Sequence, residues 1–507
     1  MRTRKAVSNI LTNFFLQLAT IICGFILPKE ILKAFGSEIN GLVSSASQFI
    51  GYIALLESGV GSVTRAALYR PISEGNYKKI NGILTATEGF FRRIAIIFLL
   101  YVAVLAIIFP NLVTSAQSWG FISSIVIVVS ISTFFQYYFG ITYSIFLQAD
   151  QRNYIVNLVQ SITLITNTFL SIILIQLGVG IHFVRLVTAL IYIVRPFLFK
   201  KFVVKNKKIS NICEPDDEAI ENRWSSLGQH IAYFLHSNTD IVLITLLMNI
   251  KEVSVYSIYS MVTVGIRNFA LIVSNGLESG IGSMIAQDDL KALNRIFKSY
   301  ETLVSISVVT LFSCALHLFI PFIYIYTSGI TDANYINFQL AFLMVICETI
   351  YCLRYPYNNL ILAAGHFKQT QKSAFIEAGF NILMSLVLIQ IWGLLGIVFA
   401  TVLAMTYRFL YFSHYISNNI LYRPIKVIVK RTLVNISIFT LNFFLCELFI
   451  SDIVRNYRDF IISGCKTFFL CAGVAMLFNI IFYKNSIDDI NTHFNMIIRK
   501  KIGVKAR

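Results

Sequence analysis

Long apolar runs recur along the whole chain, and a backbone that carries so many has few ways to fold. In hydrocarbon every peptide N–H and C=O must be satisfied internally, which leaves helices and closed barrels. Runs of about 20 residues suit helices, since a barrel strand needs only about ten. Fourteen spans are expected, at 9–27, 40–60, 94–113, 119–142, 155–177, 180–199, 224–247, 253–276, 302–325, 335–362, 374–391, 394–413, 432–451 and 460–482. The expected class is an all-α polytopic membrane protein. Charged residues make up 13% of the chain, about half the share of a soluble protein. That excludes a soluble enzyme, a disordered chain and a secreted disulfide scaffold. The eight cysteines contain no CxxC pair and sit mostly inside apolar runs, as small buried hydrophobes do. Arg2, Arg4 and Lys5 precede the first run with no small-residue cleavage site, so that run is expected to stay as a span.

A formal net charge of +17 would suit nucleic acid in another chain. Here its placement explains it. With the N-terminus inside, and with Arg195 at the inner end of its span counted among them, the inner segments carry 32 Lys and Arg and the outer loops 5. The other five, Arg185, Arg267, Arg354, Arg408 and Lys466, fall within spans. The positive-inside rule then sets both termini in the cytoplasm, with the basic excess facing anionic membrane lipids and no nucleic acid.

The halves are related. Leu56-Glu57-Ser58-Gly59-Val60-Gly61-Ser62 recurs as Leu277-Glu278-Ser279-Gly280-Ile281-Gly282-Ser283, 221 residues on. Asn167, Ser171 and Gln176 recur as Asn381, Ser385 and Gln390, 214 on, and Arg195-Pro196-Phe197-Leu198-Phe199 recurs loosely at Arg408–Phe412, 213 on. Pro110 and Pro321 each close the third span of their half. These matches keep order and offset, so spans 1–6 and 7–12 read as two parallel six-helix repeats. The expected domains are 1–210, 211–420, a helix pair in 421–482 and a basic amphipathic tail at 483–507. Ile80, Ile83 and Leu84, and again Leu290, Leu293, Ile296 and Phe297, read as amphipathic helices on the inner leaflet between the second and third spans of each repeat.

Polar residues inside the spans line up at helical spacing. Asn9, Asn13, Gln17, Thr20 and Gly24 form one stripe; Ser45, Gln48 and Tyr52 a second; Gln229, Tyr233, His236 and Asp240 a third; Tyr256, Ser260, Thr263 and Arg267 a fourth. They fall on the first two helices of each repeat, where they either enclose a polar cavity or hydrogen-bond one helix to the next. Arg267 is the sharpest candidate. Its guanidinium keeps its charge and its fork suits phosphate or pyrophosphate, unless it serves an internal ion pair with Asp240 or Glu278. Glu57 and Glu278, before Gly-x-Gly, suit a gate, a coupling role or salt bridges to loop arginines such as Arg65, Arg92 or Arg93. Asp240 and Glu348 lie deeper and suit exchange of a coupling ion. His230 and His236 are six apart, the wrong spacing for one face, so no metal is expected.

Motifs for chemistry are missing. There is no GxxxxGK[S/T], HExxH or GxSxG, so the chain is not expected to be an enzyme. The run Leu55–Ser62, Asn238-Thr239-Asp240-Ile241 and Val255-Tyr256-Ser257-Ile258-Tyr259, in fourteen spans arranged 6+6+2, resemble the polysaccharide repeat-unit flippases. These Wzx-type O-antigen and capsule transporters belong to the multidrug/oligosaccharidyl-lipid/polysaccharide exporter superfamily. The resemblance implies two six-helix lobes in a V and alternating-access transfer of undecaprenyl-pyrophosphate-linked oligosaccharide across the bacterial inner membrane. Arg267 would hold the pyrophosphate, with Asn13, Gln17, Gln48, Tyr52, Tyr233, His236, Tyr256, Ser260 and Thr263 around the substrate. It further implies H+ or Na+ coupling with no cofactor, and a polysaccharide polymerase and chain-length regulator as partners. No arginine lies within the first span, where lipid II flippases carry them. The alternatives are a cation-coupled multidrug or lipid II exporter and, behind them, a non-transporting scaffold of an envelope-synthesis complex.

Overall fold

A computed structural model describes residues 2–57, 59–206, 213–219, 221, 227–275, 290–450 and 454–501. Among these residues no strand forms beyond one isolated bridge between Thr114 and Asn249. Twelve helices are long and apolar enough to cross a membrane. The first, α1 (Arg2–Gly51), has 50 residues, about 75 Å at 1.5 Å per residue and more than twice a ~30 Å hydrocarbon core. It holds two of the expected spans because Gly36 breaks it, at φ 81° and ψ 175°. That conformation favours glycine. The new helix starts there under a cap from a distant segment: Asp332 accepts from Ser37 N at 2.8 Å and from Ser37 Oγ at 2.6 Å.

After the short α2 (Ala54–Glu57), Gly59 makes a tight turn at φ 92° and α3 (Val60–Glu74) follows. Next come α4 (Tyr77–Leu112), α5 (Trp119–Phe135), a π-turn over Gln136–Gly140, α6 (Ile141–Ala149), α7 (Asn153–Gln176) and α8 (Ile181–Asn206). Then follow α9 (Leu227–Leu247) and α10 (Ile250–Asn275). α9 lies at the seventh expected span, so among the described residues fourteen spans map onto thirteen helices. The remainder are α11 (Leu290–Tyr326), α12 (Phe338–Ala363), α13 (Phe367–Trp392), α14 (Leu394–Asn419), α15 (Lys426–Phe449) and α16 (Tyr457–Lys501). In α16 the backbone breaks at Tyr483, where the expected tail begins.

One expectation is corrected. Ile80, Ile83, Leu84, Leu293 and Phe297 do not belong to separate surface helices. They are buried in the first turns of α4 and α11, which run on unbroken into the third span of each repeat. No glycine turn or proline interrupts either stretch, so the helix continues and its apolar side packs on protein instead of lipid.

The helices form two compact units, residues 1–258 with 329–333, and 259–328 with 334–507. Inside the first unit the loops sort to two ends as the charge count requires. Ser115 Oγ donates to Glu38 at 2.6 Å, Lys251 Nζ to the Asp332 carbonyl at 3.1 Å, and Thr114 bridges Asn249. Four loops expected on the outer side therefore meet. Lys5 pairs with Asp150, Arg65 Nη1 donates to Gln148 at 2.5 Å, and Asp216 N donates to the Gly82 carbonyl at 3.1 Å. Those residues all come from expected inner segments.

Candidate functional site

Several of the polar stripes meet in the first unit. Gln48 Nε2 donates to Asn238 Oδ1 at 2.6 Å, Ser45 and Thr245 share a hydrogen bond of 2.6 Å, and Asn40 Nδ2 donates to Ser254 Oγ at 2.8 Å. Tyr52 packs edge-on against Phe234, ring centroids 4.9 Å apart. Tyr256 donates to Asp240 Oδ2 at 2.9 Å. The second span thus bonds to the seventh and to the start of the eighth through their polar faces. Asn13 and Gln17 differ: Asn13 is exposed, Gln17 half-buried, and neither is tied to another side chain. Of Tyr233 and His236 only the helical backbone in α9 is described, and Glu278 with the rest of 277–283 lies outside the described residues. Glu57 accepts from the Tyr137 hydroxyl at 2.7 Å, on the π-turn. Two of its expected arginine partners are engaged elsewhere, Arg65 with Gln148 and Arg92 with Glu88.

The second unit holds a chain of charges at membrane depth. Arg267 Nη1 donates to both Glu348 oxygens, at 3.0 and 3.2 Å, so the carboxylate on this arginine comes from α12. The Arg267 and Arg354 guanidinium carbons lie 5.1 and 5.3 Å from the centre of the Tyr351 ring. Arg354 pairs with Glu377, and Arg408 Nε lies 3.7 Å from the same carboxylate. Three guanidiniums thus share two carboxylates. Glu348, Arg354, Glu377 and Arg408 are all buried, while Arg267 keeps 26% of its side chain accessible. Burying charge this way is sustainable only because each group has a partner. Thr263 is fully buried and returns its hydroxyl to the Ser260 carbonyl of its own helix, at 3.2 Å. Arg354 and Arg408 were visible as basic residues within spans. Glu377 and Tyr351 were missed, Glu377 because it sits one turn inside an expected span end, where a carboxylate reads as interfacial.

Beside these charges the second unit has an apolar groove of about 620 Å³. Phe338, Phe342 and Ile346 of α12 form one wall and Ile436, Phe439 and Phe443 of α15 the other. The appended fifteenth helix is therefore part of a recess, not only a lipid-facing add-on. Among the described residues no cluster of His, Cys, Asp and Glu could hold a metal ion.

No family model matches the chain, and neither does any curated protein. Solved structures do match. The lipid II flippase MurJ, in an inward closed conformation, is similar at a TM-score of 0.73 and 16% identity, covering 95% of this chain and 100% of its own. The MATE multidrug transporter DinF-BH follows at 0.55 and 14% identity, over 83% of this chain and 96% of its own. An inward-facing multidrug resistance transporter of the MATE family of the MOP superfamily gives 0.50 and 15%, over 82% and 98%. At such identities the likeness is one of fold. With its helices matched by these transporters over 82–95% of its length, the chain has the fold of the MOP superfamily.

Proposed function

We propose that the protein is a flippase that carries undecaprenyl-pyrophosphate-linked oligosaccharide repeat units from the cytoplasmic to the outer face of the bacterial inner membrane. It works by alternating access, with both termini cytoplasmic, and serves O-antigen, capsule or exopolysaccharide synthesis. The observation that carries this reading over multidrug export is the groove between α12 and α15. Its α15 wall runs from Thr432 to Phe444, about 18 Å at 1.5 Å per residue. An apolar recess of that length inside a membrane span shelters part of a polyprenyl chain, and a small soluble cation has no use for it. The charges agree: Arg267, Arg354 and Arg408 face only two carboxylates, Glu348 and Glu377, and that excess favours an anion over a cation. Coupling to H+ or Na+ is assigned to carboxylates held by hydroxyls, Glu57 on Tyr137 and Asp240 on Tyr256, ahead of Glu348, which a guanidinium holds.

A deletion strain tests the proposal. Lipid-linked oligosaccharide should accumulate on the inner leaflet and surface polysaccharide should fall, with both restored by the plasmid-borne gene. Unchanged polysaccharide together with heightened dye and drug sensitivity would replace the flippase by the multidrug reading. Polysaccharide lost without accumulation of its lipid-linked precursor would point to the scaffold.

A further inference from the structure

The second unit sets carboxylates against Arg267, Arg354 and Arg408, and the first unit holds two half-buried arginines with none among the described residues. Arg185 and Arg195 stand on α8, seven and three residues either side of Tyr192. The exposed side of that helix carries Phe183, Leu190, Val194 and Phe197. At 3.6 residues per turn the two arginines fall on the opposite side, which packs into the unit. Arg195 Nε donates to Thr163 Oγ1 at 2.7 Å, and its guanidinium carbon lies 3.9 Å from the centre of the Tyr192 ring. Asn167 Nδ2 donates to the Tyr192 hydroxyl at 3.3 Å. Arg185 hydrogen-bonds to nothing among the described residues, and its Nε is buried. Thr163 is ten residues into α7, about 15 Å from that helix's start, so these groups sit well within the span.

The internal repeat shows what is missing. Arg195 corresponds to Arg408, 213 residues on, and the repeat that aligns Asn167 with Asn381 and Ser171 with Ser385 aligns Thr163 with Glu377, 214 on. In the second unit Arg408 therefore lies against Glu377. In the first unit the same arginine meets a threonine. A guanidinium cannot shed its proton, and one left unpaired at this depth is costly. The second repeat supplies its own anion, and among the described residues the first sets none beside Arg195.

We infer that Arg185 and Arg195, with the hydroxyls of Thr163 and Tyr192, form a binding site for a phosphate or pyrophosphate group within the first unit. Both arginines lie close enough to Tyr192 to act on it electrostatically, and two planar forks suit the two or more charges of a pyrophosphate. The site rests on the flippase reading only for the source of that group, a lipid-linked headgroup.

The full chain in nanodiscs, titrated with radiolabelled pyrophosphate and with farnesyl pyrophosphate, tests it. Wild type should bind farnesyl pyrophosphate, and Arg185→Gln, Arg195→Gln and Thr163→Glu should each weaken binding at least tenfold. Thr163→Glu installs the carboxylate of the other repeat, so it should keep its melting temperature while losing the ligand. In unmutated protein, either ligand that binds should protect Arg185 and Arg195 from phenylglyoxal, read by peptide mass spectrometry. Binding of farnesyl pyrophosphate alone supports the site and makes its ligand a lipid headgroup; equal binding of free pyrophosphate supports the site with a soluble phosphate compound as ligand. Failure of wild type to bind either, or variants that bind as wild type does, would overturn the site. A protein that still flips lipid-linked oligosaccharide in that case keeps the flippase reading, and one that binds but does not flip loses that reading and keeps the site.

Discussion

Arg267 looked from its sequence stripe like a lone cation facing Asp240 or Glu278, and the fold gives it Glu348, 81 residues away on another helix. Glu348 is buried and Arg267 half-buried, so removing one member strands the other. Arg267→Gln and Glu348→Gln should each cost about 3 kcal/mol. The double variant should recover roughly 2 kcal/mol of the summed loss, as thermal unfolding of the purified protein would show. Strict additivity would mean that the two charges act apart. If Arg267 also reads the substrate, Arg267→Lys should keep more surface polysaccharide than Arg267→Ala at equal protein level, because lysine keeps the charge and loses the fork. Equal, normal polysaccharide from both would end that role.

At the scale of elements, α1 shows how a 50-residue helical segment becomes two spans. Gly36 permits the break, and Asp332 fixes it by holding the amide and hydroxyl of Ser37. A side chain at Gly36 would have to adopt a left-handed φ with its Cβ 3.0 Å from the Asp332 carboxylate. Gly36→Val should therefore destabilise by more than the ~1 kcal/mol expected of losing a cap through Asp332→Ala. Melting temperatures in nanodiscs check the order; a Gly36→Val protein as stable as wild type would mean that the break is not required. The bases of α4 and α11 teach the complementary lesson. Apolar periodicity located their buried faces correctly but could not say whether lipid or protein would cover them.

For the whole molecule, the meeting of alternate loops inside the first unit agrees with the expected alternation of spans, and reporter fusions decide which end faces the cytoplasm. Segments far apart in sequence, around Glu38, Ser115, Asn249 and Asp332, meet, and all four come from loops expected on one side. Reporter fusions at Asn206 and Asn485 should report cytoplasm and those at Ser115 and Ser328 the outside. An outside signal at Asn206 would break the charge count and the repeat together. The motif at 277–283 lies outside the described residues, so the repeat finds its structural echo elsewhere: Asn167 reaches across to Tyr192 in one half, and Asn381 to Thr401, at 2.9 Å, in the other.

Class, span positions and the repeat were legible in the chain itself, because a bilayer filters for run length and charge side and both are local properties of sequence. Which polar groups touch was not legible. A helical stripe says that Gln48, Asp240 or Arg267 faces something other than lipid, and no more. Glu348 and Glu377 found their arginines, and Arg185 and Arg195 were left without a carboxylate among the described residues, only once helices remote in sequence lay side by side. Pairing of buried charge depends on distances of a few ångströms across helices, and those are set by tertiary packing alone.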